Sequence, residues 1–172
     1  MELAVSNITR SVSTLFFVIV SSLGATNGSL VSNLLGAGQQ KGVFPICHKI
    51  IKMGYAIGLP LVGIALLCNY WIIRFYTNNE TLVQHTVPPF IVMLFNYIFA
   101  VPGYVYISAV TGTGKTKIAF IFQVVTIMVY LLYLYWLSHC VHAPLAVYMT
   151  TEYLFVIMLG IQSVFYLKRK HY

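Results

Sequence analysis

Five long apolar blocks separated by short polar turns decide what this chain can fold into. A helix needs about 20 mostly apolar residues to cross a hydrocarbon core of roughly 30 Å. Blocks at about 11–35, 53–75, 87–110, 118–137 and 145–167 have that length. The reading is therefore all-α: a polytopic membrane helix bundle with five transmembrane helices. Charge supports it. Only 8% of the residues are charged, there is no Asp, and the acids are Glu2, Glu80 and Glu152. An ordinary soluble domain carries roughly 25% charged residues, so the solvent this composition suits is the lipid bilayer.

The blocks carry further signals. The first is rich in small residues, which let helices pack closely in lipid. Gly24, Gly28 and Ser32 fall at helical spacing and are expected to meet a surface outside this chain. VFPICHKIIK, residues 43–52, reads as an amphipathic connector with Lys49 and Lys52 at the headgroups. Pro88 and Pro89 suit a first helical turn. Pro102-Gly103 is expected to kink or break the third block near its end. The fourth block closes on Tyr130, Tyr133, Tyr135 and Trp136, as at a membrane interface.

Charge placement gives orientation. Lys41, Lys49, Lys52, Lys115, Lys117, Lys168, Arg169 and Lys170 fall on one set of alternating turns, and only Arg10 and Arg74 on the other. The positive-inside rule then puts the N-terminus outside and the C-terminus in the cytoplasm. The expected location is the cell membrane, multi-pass, the inner one in a bacterium. The net charge of +7 does not point to nucleic acid, because no basic face is interleaved with aromatics. Cys47, Cys68 and Cys140 are too few and too scattered for a disulfide framework.

AVTGTGKT, residues 109–116, fits the loose phosphate-loop pattern. Such loops normally hold Mg²⁺ with help from an Asp, and this chain has none. The stretch reads instead as a glycine turn between two membrane helices, with two lysines facing water. No nucleophile, base and orienting group form a set, so an enzyme is not expected, nor is a cofactor. His139, Cys140 and His142 supply only three groups on a short turn, which is a poor metal site.

The candidate binding residues are polar groups inside apolar blocks. Glu152 is the one acid so placed, and an intramembrane carboxylate marks a functional site by default because its burial is expensive. It can bind a proton or a cationic substrate. Asn27, Asn96, Gln123 and Gln162 can hydrogen-bond substrate in a cavity or join helices together.

The order of these features resembles a known family. SVSTLFFVIVSSLGATNGSLVSNLLGAGQQKG is similar to the helix and exit turn of a lobe's second span in the MATE (multidrug and toxic compound extrusion) transporters. PGYVYISAVTGTGKTKIAF resembles the hairpin between the fourth and fifth spans of a lobe, and the basic tail fits too. The resemblance implies that residues 1–172 are part of a C-terminal lobe, spans eight to twelve of a two-lobe transporter. It implies secondary active multidrug or cation efflux by antiport, with a proton or sodium ion as the coupling cation. Cationic or amphipathic small molecules are the implied cargo, and a missing N-terminal lobe or self-association the implied partner. The lone chain is then expected to be inactive. A flippase of the wider superfamily that moves lipid-linked sugars is the alternative, disfavoured because no basic residue lies centrally in a block. A non-transporting membrane fragment or subunit is the third reading. In that family acids in the first lobe or in spans seven and ten often carry the coupling cation; this chain has no Asp, and Asn96 is the comparable polar position in the third block.

Overall fold

A computed structural model describes residues 2–141 and 145–170, without the side chains of Glu2, Cys140 and Val141. The described residues are helical and contain no strand. Helix α1 spans Glu2–Gly36, and a 3-10 turn at Gln40–Gly42 leads into α2, Val43–Leu67. A short α3, Asn69–Tyr76, follows, then α4, Glu80–Gly112, and α5, Thr116–Trp136. A π turn at Leu137–Val141, a short α6, Leu145–Met149, and α7, Thr151–Arg169, complete the order. Among the described residues, five segments are long and apolar enough to cross a membrane: Leu3–Gly36, Gln40–Leu67, Glu80–Gly112, Thr116–His139 and Leu145–Arg169.

Helix α4 is the axis of the bundle and touches every other helix. Helix α1 runs parallel to it. Phe16 meets Tyr97 edge-on at 5.9 Å, Phe17 meets Tyr104 at 5.3 Å, and Ser32 Oγ donates to the Gly112 carbonyl at 2.8 Å. Helix α7 is also parallel to α4: the Tyr153 hydroxyl donates to the Val92 carbonyl, and Val156 sits against Gly103. Helix α2 runs the other way, with Phe44 near Tyr106 and Tyr55 near Ile98. The C-terminal ends of α1, α4 and α7 therefore gather at one end of the bundle, together with the starts of α2 and α5. Lys41, Lys49, Lys52, Lys115, Lys117, Lys168, Arg169 and Lys170 all belong to that end and are all exposed. The turns there need glycine: Gly38 and Gly114 have φ of 74° and 78°, a region that costs other residues energy.

The helix limits differ from the sequence reading at several points, three of which have a visible cause. First, residues 43–52 are no separate connector. Val43, Cys47, Ile50, Gly54 and Gly58 form one buried stripe at helical spacing, so packing carries the helix straight into the span. The block at 53–75 is then split at Cys68, where φ is −98° and ψ 13°. Second, α4 starts eight residues before Pro88. The Asn79 side chain caps it, accepting from the amides of Thr81 at 3.1 Å and Leu82 at 3.3 Å. Third, Pro102-Gly103 does not break α4. Proline deprives the carbonyl four residues earlier of its donor, and the Tyr55 hydroxyl donates to that carbonyl, on Ile98, at 2.7 Å. A neighbouring helix re-satisfying the freed group is what lets proline persist in lipid.

The small-residue stripe of α1 is also used differently from expectation. It packs inside the chain, against α4. A Cβ on Gly28 would lie 3.3 Å from the Ser108 carbonyl oxygen, and one on Gly24 3.6 Å from that of Tyr104. On the opposite side, a Cβ on Gly112 would lie 2.5 Å from the Gly28 carbonyl oxygen. The two backbones touch because neither helix has a side chain there.

Candidate functional site

At the end of the bundle away from the lysines, α1, α4 and α7 leave a cavity of about 180 Å³ between them. Arg10, Ser13, Thr14, Phe16 and Phe17 line it from α1, Met93, Asn96, Tyr97 and Ala100 from α4, and Glu152 from the first turn of α7. Asn96 stands sixteen residues before the end of α4 at Gly112. At 1.5 Å per residue that is about 24 Å from the basic end, within the depth of a hydrocarbon core of roughly 30 Å. Polar groups at such a depth are there at a cost.

Apart from Arg10, the polar groups of the lining are rich in acceptors. Ser13 Oγ donates to the Thr9 carbonyl at 2.8 Å and Thr14 Oγ1 to the Arg10 carbonyl at 2.9 Å. Their protons are committed to the backbone, so only oxygen lone pairs remain for the cavity. The Asn96 Oδ1 is buried and receives no hydrogen bond from the protein. Glu152 adds a carboxylate. Four groups that can accept thus line one space, beside the rings of Phe16, Phe17 and Tyr97. Arg10 is the only cation among them.

Of the five residues singled out in the sequence, Glu152 and Asn96 are brought together here. Asn27 is not. It is fully buried between α1, α2 and α4, where its Nδ2 donates to the Val105 carbonyl at 2.8 Å, to Ser108 Oγ at 3.3 Å and to Cys47 Sγ at 3.6 Å. That is a helix-joining role. Gln123 is exposed on α5, away from the cavity. Gln162 on α7 is half-buried, and its buried Oε1 also lacks a protein donor. His139 is exposed and stacks on Tyr135 at 4.2 Å, whereas Cys140 and His142 lie outside the described side chains. AVTGTGKT is the end of α4, a turn and the start of α5, with no strand before it.

The sequence reading missed Arg10, Ser13 and Thr14. Arg10 passes as a loop charge by count, but it lies within α1. The signal was its spacing: residues three and four apart share a helix face, so Arg10, Ser13 and Thr14 had to look the same way.

Comparison with known proteins narrows what such an arrangement belongs to. Neither the curated proteins nor the solved structures give a significant match. The family model MatE matches residues 1–137, which takes in α1 to α5 and all of the cavity except Glu152. A bundle of five apolar helices that brings polar groups to a shared cavity suits a membrane carrier, and by this match the chain belongs to the MatE family, whose members are membrane transporters.

Proposed function

We propose that this chain is part of a secondary active transporter that exports cationic or amphipathic small molecules in exchange for a proton or a sodium ion. The observation that carries this reading is the cluster of acceptors around Glu152: a carboxylate, the undonated Asn96 Oδ1 and two hydroxyl oxygens whose protons are used elsewhere. Such a set favours a positive guest. At about 180 Å³ the cavity suits a small cation with its water better than a drug-sized molecule, which takes 300–1,000 Å³. Glu152 and Asn96 are accordingly assigned to the coupling cation, with cargo held in the larger space that a second lobe would close. Gln123 and Asn27 receive no binding role. Spans eight to twelve of a two-lobe carrier remain the proposed place of this chain, in the cell membrane and with its lysine end in the cytoplasm.

Arg10 bears on the flippase alternative. A basic residue does line the cavity, but Arg10 lies near the start of α1 and not centrally in a span. It also faces a carboxylate, and a single guanidinium so opposed is a poor pyrophosphate site. Its role in this reading is to compete with the arriving cation for Glu152, so that release of one follows binding of the other.

The test uses a complete transporter carrying this segment in cells loaded with a cationic dye. A charge-assisted contact contributes roughly 1.5–3 kcal/mol, about ten- to 150-fold in affinity. Glu152→Gln keeps the shape and should lower efflux by a factor in that range and flatten its dependence on pH, at equal protein in the membrane. Unchanged efflux and pH profile would remove Glu152 from the mechanism.

A further inference from the structure

A second cavity lies outside the polar one. A groove of about 440 Å³ follows the seam between α4 and α7 on an exposed face of the bundle. Its floor is Pro102, Gly103 and Gly160, where the helices meet: a Cβ on Gly103 would lie 2.6 Å from the Val156 carbonyl oxygen. No side chain fills the seam. Its walls are apolar, and Ile161 and Phe165 are 65% and 68% exposed. Only at one end does the groove carry a charge, Lys168.

Length and charge together name the occupant. From Val156 to Lys168 is twelve residues, about 18 Å along α7, and one leaflet contributes about 15 Å of a hydrocarbon core of roughly 30 Å. The groove is as long as one leaflet, and its lysine belongs to the exposed basic end, where headgroups lie. A second copy of this chain inserted the same way round would bring no acidic side chain to that lysine. All three acids of the sequence stand at the other end, at or near the starts of α1, α4 and α7.

We infer that the α4–α7 groove binds one anionic phospholipid, an acyl chain lying over Gly103 and Gly160 and the headgroup phosphate paired with Lys168. The lysine stem lies along apolar surface while its ammonium reaches the phosphate, the usual disposition of such a residue at a membrane edge. The site is separate from the Glu152 cavity and does not depend on the transport reading.

Native mass spectrometry of the purified 172-residue chain, with phosphatidylglycerol and phosphatidylcholine of matched chains, tests it. One basic group near an anionic headgroup should favour phosphatidylglycerol about fivefold. Lys168→Gln should abolish that preference, Lys168→Arg should keep it, and Lys115→Gln, at the same end but off the groove, should leave it unchanged. Val164→Trp should fill the groove and lower retention of both lipids. Circular dichroism checks its folding, and Ile161→Trp, further out, replaces it if helix is lost. Equal retention of the two lipids would overturn the inference, as would an equal effect of Lys115→Gln and Lys168→Gln. So would cross-linking of Ile161→Cys to a second polypeptide in phosphatidylglycerol vesicles, beyond that of the unsubstituted chain, because protein would then cover the groove.

Discussion

Tyr55 illustrates how a single side chain keeps a long helix whole. Its hydroxyl occupies the Ile98 carbonyl that Pro102 leaves without a donor, and no sequence pattern within α4 could reveal that the donor sits on another helix. Tyr55→Phe keeps the ring and removes the donor. Hydrogen bonds between membrane helices contribute about 0.6 kcal/mol on average and up to about 1.7, so the variant should lose stability in that range, read from the unfolding midpoint in mixed micelles. A second residue-scale expectation concerns the other end. The Tyr70 hydroxyl donates to the Glu80 carboxylate at 2.6 Å, and that bond, first among the causes, raises the phenol above its ordinary value of 10, against a smaller opposing effect of Arg74. The proton is held more tightly in the fold, so the contact is fully present below pH 10 and is lost as pH rises through the shifted value. Absorbance of tyrosinate should therefore show Tyr70 titrating late, and Glu80→Gln should bring it back toward 10. Glu152 was visible in the sequence because a lone acid in an apolar run is anomalous on its own. The spacing of Arg10, Ser13 and Thr14 showed a shared face, but what that face meets depends on α4 and α7, which one helix's sequence does not describe.

Among the elements, the five spans were legible because each is a long apolar run, and lipid admits few other structures. Their contacts were not. Gly24 and Gly28 announced a close approach but not its partner, since a small residue carries no label of the surface it meets. The break at Cys68 follows no proline or glycine in its immediate neighbourhood; beside it the Asn69 Nδ2 donates to the Leu66 carbonyl at 2.5 Å, a local side-chain bond that competes with the helix ladder. The glycine seams are the sharpest element-scale test. A methyl on Gly103 would meet the backbone oxygen of Val156 at 2.6 Å, and backbone cannot swing aside as a side chain can. Gly103→Ala should therefore push α7 off α4 and cost about 1–3 kcal/mol, the range for overpacked cores. Gly63, on the face of α2 where a Cβ meets nothing within 4 Å, is the control. Gly63→Ala should be neutral or gain up to about 1 kcal/mol of helix propensity. Similar losses for both would mean the α4–α7 seam is not as tight as described.

For the whole molecule, the parallel run of α1, α4 and α7 turns a list of lysines into one charged end. The orientation proposed for that end follows the positive-inside rule. With Cys47, Cys68 and Cys140 replaced by Ser, a cysteine at Asn78 should react with an impermeant maleimide in intact cells. One at Lys115 should react only after the membrane is opened. Both residues are exposed and neither caps a helix by its side chain; the reverse labelling would invert the bundle. The same parallel arrangement has a consequence in time. Asn27 on α1 finds its carbonyl partner on Val105, 78 residues further along the chain. At 5–20 residues per second of synthesis, that partner reaches the bilayer about 4–16 s later. Until then α1 waits in lipid with a polar amide and an uncovered glycine face. A chaperoning contact during insertion is most valuable in that interval, and a stalled ribosome anywhere between residues 36 and 105 leaves α1 stranded without the helix it was shaped to meet.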